Sequence, residues 1–514
     1  MKNLSIFVLL PLFAAACAAS PNFGDDTTDS GTPDDDGGTT GDDGSTTGTD
    51  SGNPPPTNAP LATGITVTGL TVNQGVEVNV VKNGAPATKN APLIAGRPGL
   101  VRVFVNPSSA FSHALTGELT LTTGGTPKVF TASLTPTAAS TDASMGSTFN
   151  FTVDAASLAT TTTFLVKIKD PQSSGSGSNT AQYPNSGTAT SLGVKNAGTV
   201  KINVYPIKFS SGGSTPATGA LDISAYQKIV MGLYPAANVT LTVQPTLTYT
   251  GSIPDAYDQS GAWEYLLSFL QKKRAADPTP DVYYYGAFAP TASFASFCGS
   301  GCIAGLSGIP NGPSNYSQKA SIGLVYGGNS FDQQSTAQTM AHEVGHGHGR
   351  EHSPTTQSVQ YCSTPSGTDP GYPYSKGGIG VWGWDIVNQK AKDPTQFFDI
   401  MGYCESDWIS DYTYGKLYSW IAADNGFDMV AGTAVTYRQI FVKTDGTLEV
   451  GDAFPVYGPM SGEQHTVTFD DGHSATGFFF PYDHIGDGYV LVPEPAHFTS
   501  LKVQGFSKLA NLTR

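Results

Sequence analysis

The sequence predicts a multidomain α+β protein: a mixed α/β domain built around one histidine-rich helix, flanked on both sides by β-rich domains. Threonine- and valine-rich alternation with glycine and proline punctuation fills residues 61–198 and returns over 429–514, as half-buried strands require. Between them, over 199–428, strand-like runs alternate with helical periodicity, the pattern of a sheet packed against helices. Within that central stretch, the eleven residues 342–352 hold four of the nine histidines.

The chain begins Met1-Lys2-Asn3, a short basic start, followed by an apolar run ending at Ala16. Residues 1–17 therefore read as an export signal, too short to span a bilayer. Ala14-Ala15-Ala16-Cys17 resembles a bacterial lipoprotein box, which makes Cys17 the expected lipidation site and the protein a cell-envelope lipoprotein. Ordinary cleavage near Ala19 would instead release a secreted protein. No later segment has the length and apolar purity of a membrane span, so a lipid anchor is the expected membrane contact.

Residues 18–60 are almost entirely Asp, Gly, Thr, Ser and Pro, with too little apolar surface to offset the entropy of ordering. Nine aspartates and no Lys or Arg lie here, so most of the net charge of −15 belongs to a disordered acidic tether. The spacing is not that of a calcium loop. Neither a basic patch nor a nucleic-acid motif appears, which excludes nucleic acid as an expected partner.

Ile65-Thr66-Val67-Thr68 and Leu100-Val101-Arg102-Val103-Phe104-Val105 alternate cleanly, and an immunoglobulin-like β-sandwich is expected over 61–198. The Ser/Gly run at 173–178 reads either as a flexible loop or as a domain boundary. In the central domain, Val200-Lys201-Ile202-Asn203-Val204-Tyr205 and Val239-Thr240-Leu241-Thr242-Val243 read as strands, 223–234 and 261–275 as helices, and 281–288 as a strand. Ser321-Ile322-Gly323-Leu324-Val325-Tyr326 is expected as an edge strand able to hold an extended peptide by strand addition. Ser330 with Gln333 forms a capping-box pattern ahead of the histidine helix, and 411–423 is expected to close the domain as a helix.

The residues His342-Glu343-Val344-Gly345-His346-Gly347-His348-Gly349-Arg350-Glu351-His352 spell H-E-x-x-H-x-x-G-x-x-H. Residues four apart share a helix face, so His342 and His346 present two imidazoles to one ion, here a single catalytic Zn2+. Glu343 is then placed to take a proton from a metal-bound water. Gly349 lets the chain leave the helix through a conformation that a Cβ disfavours, returning His352 as a third ligand with a fourth position open. His348 falls off the ligand face and is expected to be solvated or to support the ligands, not to bind.

Downstream comes Asp399-Ile400-Met401-Gly402-Tyr403-Cys404. The long histidine motif followed by this methionine resembles the metzincin clan of zinc endopeptidases. The resemblance implies a mixed-sheet catalytic domain over 199–428, with Met401 in a tight turn forming an apolar floor beneath the histidines. It also implies a catalytic Tyr403, close to zinc and able to swing toward the oxyanion. Ser353, after the third histidine, is similar to matrix metalloproteinases more than to astacins, so the signatures are mixed. The overall pattern is similar to bacterial surface metzincins.

With Cys17 lipidated or removed, four cysteines remain, and three pairings are possible. An exported context favours disulfides. Cys298–Cys302 with Cys362–Cys404 is the expected set, the second bridge tying the segment after His352 to the methionine turn. The aromatic clusters Tyr283-Tyr284-Tyr285, Trp382-Gly383-Trp384 and residues 408–414 read either as core or as the lining of a cleft.

These readings converge on a secreted or surface-anchored zinc metalloendopeptidase acting on protein or glycoprotein. The first alternative is a cell-surface adhesion or glycoprotein-binding protein whose zinc domain is inactive. The second is a zinc hydrolase acting on a non-peptide bond. The sandwich is either a propeptide-like cover or a binding module.

Overall fold

The computed structural model describes residues 57–514 apart from 211–220, 258–260, 300, 327–329, 427–432, 458–459, 461, 483–486, 507 and 512–514. The export signal, Cys17 and the tether to residue 56 lie outside the described residues, as do the side chains of Ser330 and Gln333 that the capping pattern invokes. The molecule is multidomain and mostly β. Among the described residues its α-helices are α1 (Ile223–Leu233), α2 (Ala262–Ala275), α3 (Phe294–Cys298), α4 (Ser330–Gly347) and α5 (Asp411–Gly426).

The N-terminal alternation builds two antiparallel sheets. One runs in the order Ala85–Pro86, Glu77–Lys82, Ile65–Asn73, Gly99–Pro107, Phe149–Val153, and the other Gln182–Tyr183, Thr163–Lys169, Leu115–Thr123, Thr126–Leu134. Val67, Val103 and Phe151 from the first sheet share an apolar core with Leu119, Leu121 and Val166 from the second. The Ser/Gly run is an internal loop: Ser178 N donates to Ala62 O, and Gln182–Tyr183 then pairs with Thr163–Lys169.

The central sheet runs in the order Asn238–Val243, Thr199–Phe209, Val282–Phe288, Ala320–Leu324, Gly305–Ser307. Its pairs are parallel except the last, which is antiparallel. Every residue of Val282–Phe288 is buried, as a strand covered on both faces must be. Tyr283 and Tyr285 enter the core shared with α1 and α4, whereas Tyr284 and Phe288 enter the core shared with α2. The period of two along this strand therefore separates the two helical layers. Tyr283, Tyr284, Tyr285, Trp384 and Trp408 are all buried, so these aromatics are core rather than cleft lining.

The strand expected at the edge is interior: Ala320–Leu324 has Val282–Phe288 on one side and Gly305–Ser307 on the other. The edge falls to Gly305–Ser307, whose three residues are too few to show alternation. The C-terminal residues form a seven-stranded antiparallel sheet, ordered Leu448–Val456, Val435–Val442, Gly488–Pro493, Ser474–Pro481, Glu463–Phe469, Ser500–Val503, Leu509–Asn511. It docks on α2, where Gln271 donates to the Tyr489 hydroxyl at 3.1 Å, and it meets the end of the edge strand through an antiparallel bridge between Gly308 and Tyr482. No described helix is long and apolar enough to cross a membrane.

Candidate metal centre

α4 carries His342 and His346 one turn apart and ends just beyond them. Arg350 N donates to Gly345 O at 3.1 Å and Gly349 N to His346 O at 2.7 Å, the paired bonds of a Schellman cap. Gly349 has φ +70°, and a Cβ there would lie 2.5 Å from the Trp420 ring. Conformation and space both demand glycine, and the turn returns the chain to the site at His352.

The Nε2 atom of His346 lies 3.0 Å from that of His342 and 3.2 Å from that of His352. Each Nδ1 faces a backbone carbonyl: His342 to Ile400 O at 2.7 Å, His346 to Arg350 O at 2.5 Å, and His352 to Ser366 O at 2.6 Å. A carbonyl only accepts, so each Nδ1 carries the hydrogen and each Nε2 turns a lone pair inward. Three lone pairs face one another, and a cation between them would satisfy all three. Tetrahedral ligand nitrogens about 2.0–2.1 Å from zinc stand about 3.3 Å apart, close to these separations. His346 and His352 are fully buried and His342 is 7 % exposed, so the group has little water to solvate it. The described residues thus hold a buried three-histidine group able to bind a metal ion.

Glu343 is 1 % exposed and lies against the edge strand: a Cβ on Gly305 would stand 2.4 Å from its Oε1. Its carbonyl accepts from Ser321 Oγ at 3.0 Å.

The methionine turn is built by Asp399, which accepts from Met401 N through Oδ1 and from Ser410 N through Oδ2, each at 2.9 Å. Burial raises the Asp399 carboxyl pKa, and these donors oppose the rise. Gly402 N closes the turn onto Asp399 O at 2.8 Å. The Met401 sulfur packs on Gly345, where a Cβ would lie 2.6 Å from Sδ. The floor under the helix therefore fits because this chain carries glycine at a position the motif leaves open. Ser353 N donates to Met401 O at 2.9 Å, which ties the third-ligand segment to the turn.

The Tyr403 hydroxyl lies 3.1 Å from His352 Nε2, and Tyr403 N donates to Thr355 Oγ1 at 3.0 Å. The structure contains disulfides Cys298–Cys302 and Cys362–Cys404. The second lies in a two-stranded ladder whose next pair is Ser363 with Tyr403, so it also fixes the tyrosine.

His348 is not solvated. It is fully buried, donates from Nδ1 to Val344 O at 2.7 Å and stacks on Tyr283 at 4.0 Å. Burial lowers its pKa to about 3, so the ring is neutral. It packs the back of α4, where Tyr283 donates to Asp424 at 2.6 Å and Lys319 pairs with the same carboxylate at 2.6 Å. Sequence reasoning missed Asp399, Thr355 and Gly305. Thr355 and Gly305 act on Tyr403 and Glu343 across tens of residues without a recurring spacing, whereas Asp399 acts nearby, on Met401 N and Ser410 N.

No protein-family profile matches the chain, and no curated protein sequence matches it. Among solved structures, metalloproteinase-II from Bacteroides fragilis is similar at 14 % identity, over 68 % of this chain and 87 % of that one, with a TM-score of 0.26. At that TM-score a shared topology does not follow.

Proposed function

We propose that the chain is an exported zinc-dependent metalloendopeptidase of metzincin type. The observation that carries this reading is the convergence of three backbone-oriented imidazoles, with the buried Glu343 next to His342 on the same helix. His342, His346 and His352 would hold the ion, which when bound acidifies a water and polarises the scissile carbonyl. Glu343 takes the proton of the attacking water and returns it to the departing amine. Its enclosure under Gly305 keeps that carboxylate in place, so little reorganisation is needed at the moment of transfer. Tyr403, beside His352, donates to the developing oxyanion.

The sequence features of residues 1–60 add the setting: anchorage at Cys17 on a bacterial envelope, or secretion, with protein or glycoprotein as substrate and no nucleic-acid partner. Incubation with casein and mucin tests the reading. Cleavage should stop with a zinc chelator, resume on adding zinc, and be lost in Glu343→Gln. Undiminished cleavage in Glu343→Gln would overturn it.

A further inference from the structure

We infer that the N-terminal sandwich is a positioning part of the metal centre, not a removable cover. Its turn at residues 73–76 and its Arg97 hold the methionine turn and the metal-binding helix in register. The inference rests on the metal-binding reading of the three histidines.

One arm runs to the ring of His342. Gly75, at φ +117°, turns its carbonyl toward Trp408 Nε1 at 2.7 Å and Trp384 N at 2.9 Å. Trp408 O accepts from Ile400 N at 2.5 Å, and Ile400 O accepts from His342 Nδ1 at 2.7 Å. Only Trp408 and Ile400 stand between the sandwich turn and the first ligand. Ile400 O is also the acceptor that fixes the tautomer of that ligand, so a shift in it rotates the Nε2 lone pair.

The second arm runs to the backbone of the same ligand. Arg97 is fully buried and donates to carbonyls: Gln74 O at 2.8 Å, Gly232 O at 3.0 Å and Ala236 O at 3.3 Å. The last two mark the C-terminal end of α1, where the helix dipole favours a cation. Just beyond, the Tyr234 hydroxyl donates to Ala341 O at 2.6 Å, one residue before His342. The ring and the backbone of His342 are therefore both referenced to the sandwich.

His346 and His352 take their Nδ1 acceptors from Arg350 and Ser366, outside the sandwich. Loosening either arm thus disturbs one ligand of three and weakens the metal without abolishing binding. An inhibitory cover must leave the site intact when it departs. This domain would take the orientation of His342 with it, so its removal should inactivate the protein, not activate it.

The test uses the full chain and three variants. Trp408→Phe removes the Nε1 donor and keeps a ring in place. Gly75→Ala puts a Cβ 3.0 Å from the Tyr414 ring and 3.1 Å from Gly232 O at a φ that alanine resists. Val166→Ala, fully buried in the other sheet, destabilises the sandwich away from both arms. Zinc affinity is read by competition with a chromophoric chelator, with the unfolding midpoint measured in parallel. Trp408→Phe and Gly75→Ala should weaken zinc by about tenfold or more, as loss of an outer support for a ligand does. Val166→Ala should lower the midpoint while leaving affinity near wild type. Equal affinity in Trp408→Phe and the wild type overturns the inference, as does an equal loss in Val166→Ala. A wild-type chain that binds no zinc overturns the metal-binding reading itself, and this inference with it.

Discussion

On the proposed peptidase reading, replacing Gly305 by alanine should slow catalysis while leaving metal binding intact. The new Cβ would stand 2.4 Å from Oε1, 2.5 Å from Cγ and 2.6 Å from Cδ of Glu343. Since real Cβ contacts do not fall below 3.0 Å, the side chain must retreat from 2.4 Å to at least that distance. Three of its atoms are too close at once, so turning the carboxylate about its last bond does not relieve the clash. Glu343 is 1 % exposed, so it has no solvent-filled space to move into. A misplacement on the order of 1 Å at a reacting group costs up to about 100-fold. The smaller retreat here should cost about 10- to 100-fold in kcat, or about 1.4–2.7 kcal/mol in the barrier. Loss of a general base altogether costs about 10²- to 10⁴-fold, so Gly305→Ala should fall between the wild type and Glu343→Gln. The assay is kcat and KM on a quenched fluorescent peptide, with bound zinc counted on the same samples. The three atoms nearest that Cβ all belong to Glu343, so the displacement falls on the carboxylate and zinc content should not change. A Gly305→Ala enzyme with wild-type kcat and full zinc would refute the claim that the enclosure of Glu343 matters.

If Tyr403 is the proposed oxyanion donor, Tyr403→Phe should lower kcat about 100-fold with KM and zinc content nearly unchanged, because such a donor acts mainly in the transition state; steady-state kinetics beside a zinc count checks this. Cys362→Ser with Cys404→Ser opens a bridge of sequence separation 42, which loop-closure entropy values at about 4 kcal/mol. Guanidinium unfolding should show that loss, and reduction of the wild type should reproduce it. Glu77, buried beside Arg102 at 3.4 Å, has its pKa raised to about 7, mainly by desolvation, then by Asp142. The folded state therefore binds this proton more tightly than the unfolded chain. Its stabilising contribution is full below about pH 4.5 and is lost as pH rises toward 7, by about 3 kcal/mol at most. Glu77→Gln should flatten the stability curve over that window; an unchanged slope in urea titrations would refute the assignment.

Much of the architecture is legible because local rules act over short spans. Alternation in 65–73 and 100–105 needs only the period of a strand, and helical periodicity marks 223–234 and 261–275. Gly349 carries its own meaning, since few other residues adopt its φ. The edge strand was misplaced because strand order is a matter of pairing, and a three-residue strand has no periodicity to show. Of the two readings of His348, solvated or supporting the ligands, the solvated one fails for a related reason. Helix phase places it off the ligand face, but only the packing of Tyr283 from a neighbouring strand decides that this other face is dry.

By itself the sequence determined that His342 and His346 share a helix face, that the chain turns at Gly349, and that the flanking segments are β-rich. Covalent geometry enforces these things at separations of a few residues. Only the tertiary structure decided which carbonyls orient the three imidazoles, what encloses Glu343, and that the sandwich turn at Gly75 reaches Trp408. Those contacts join residues as far apart as 75 and 408, and such pairings arise from packing in space, for which a linear pattern carries no period.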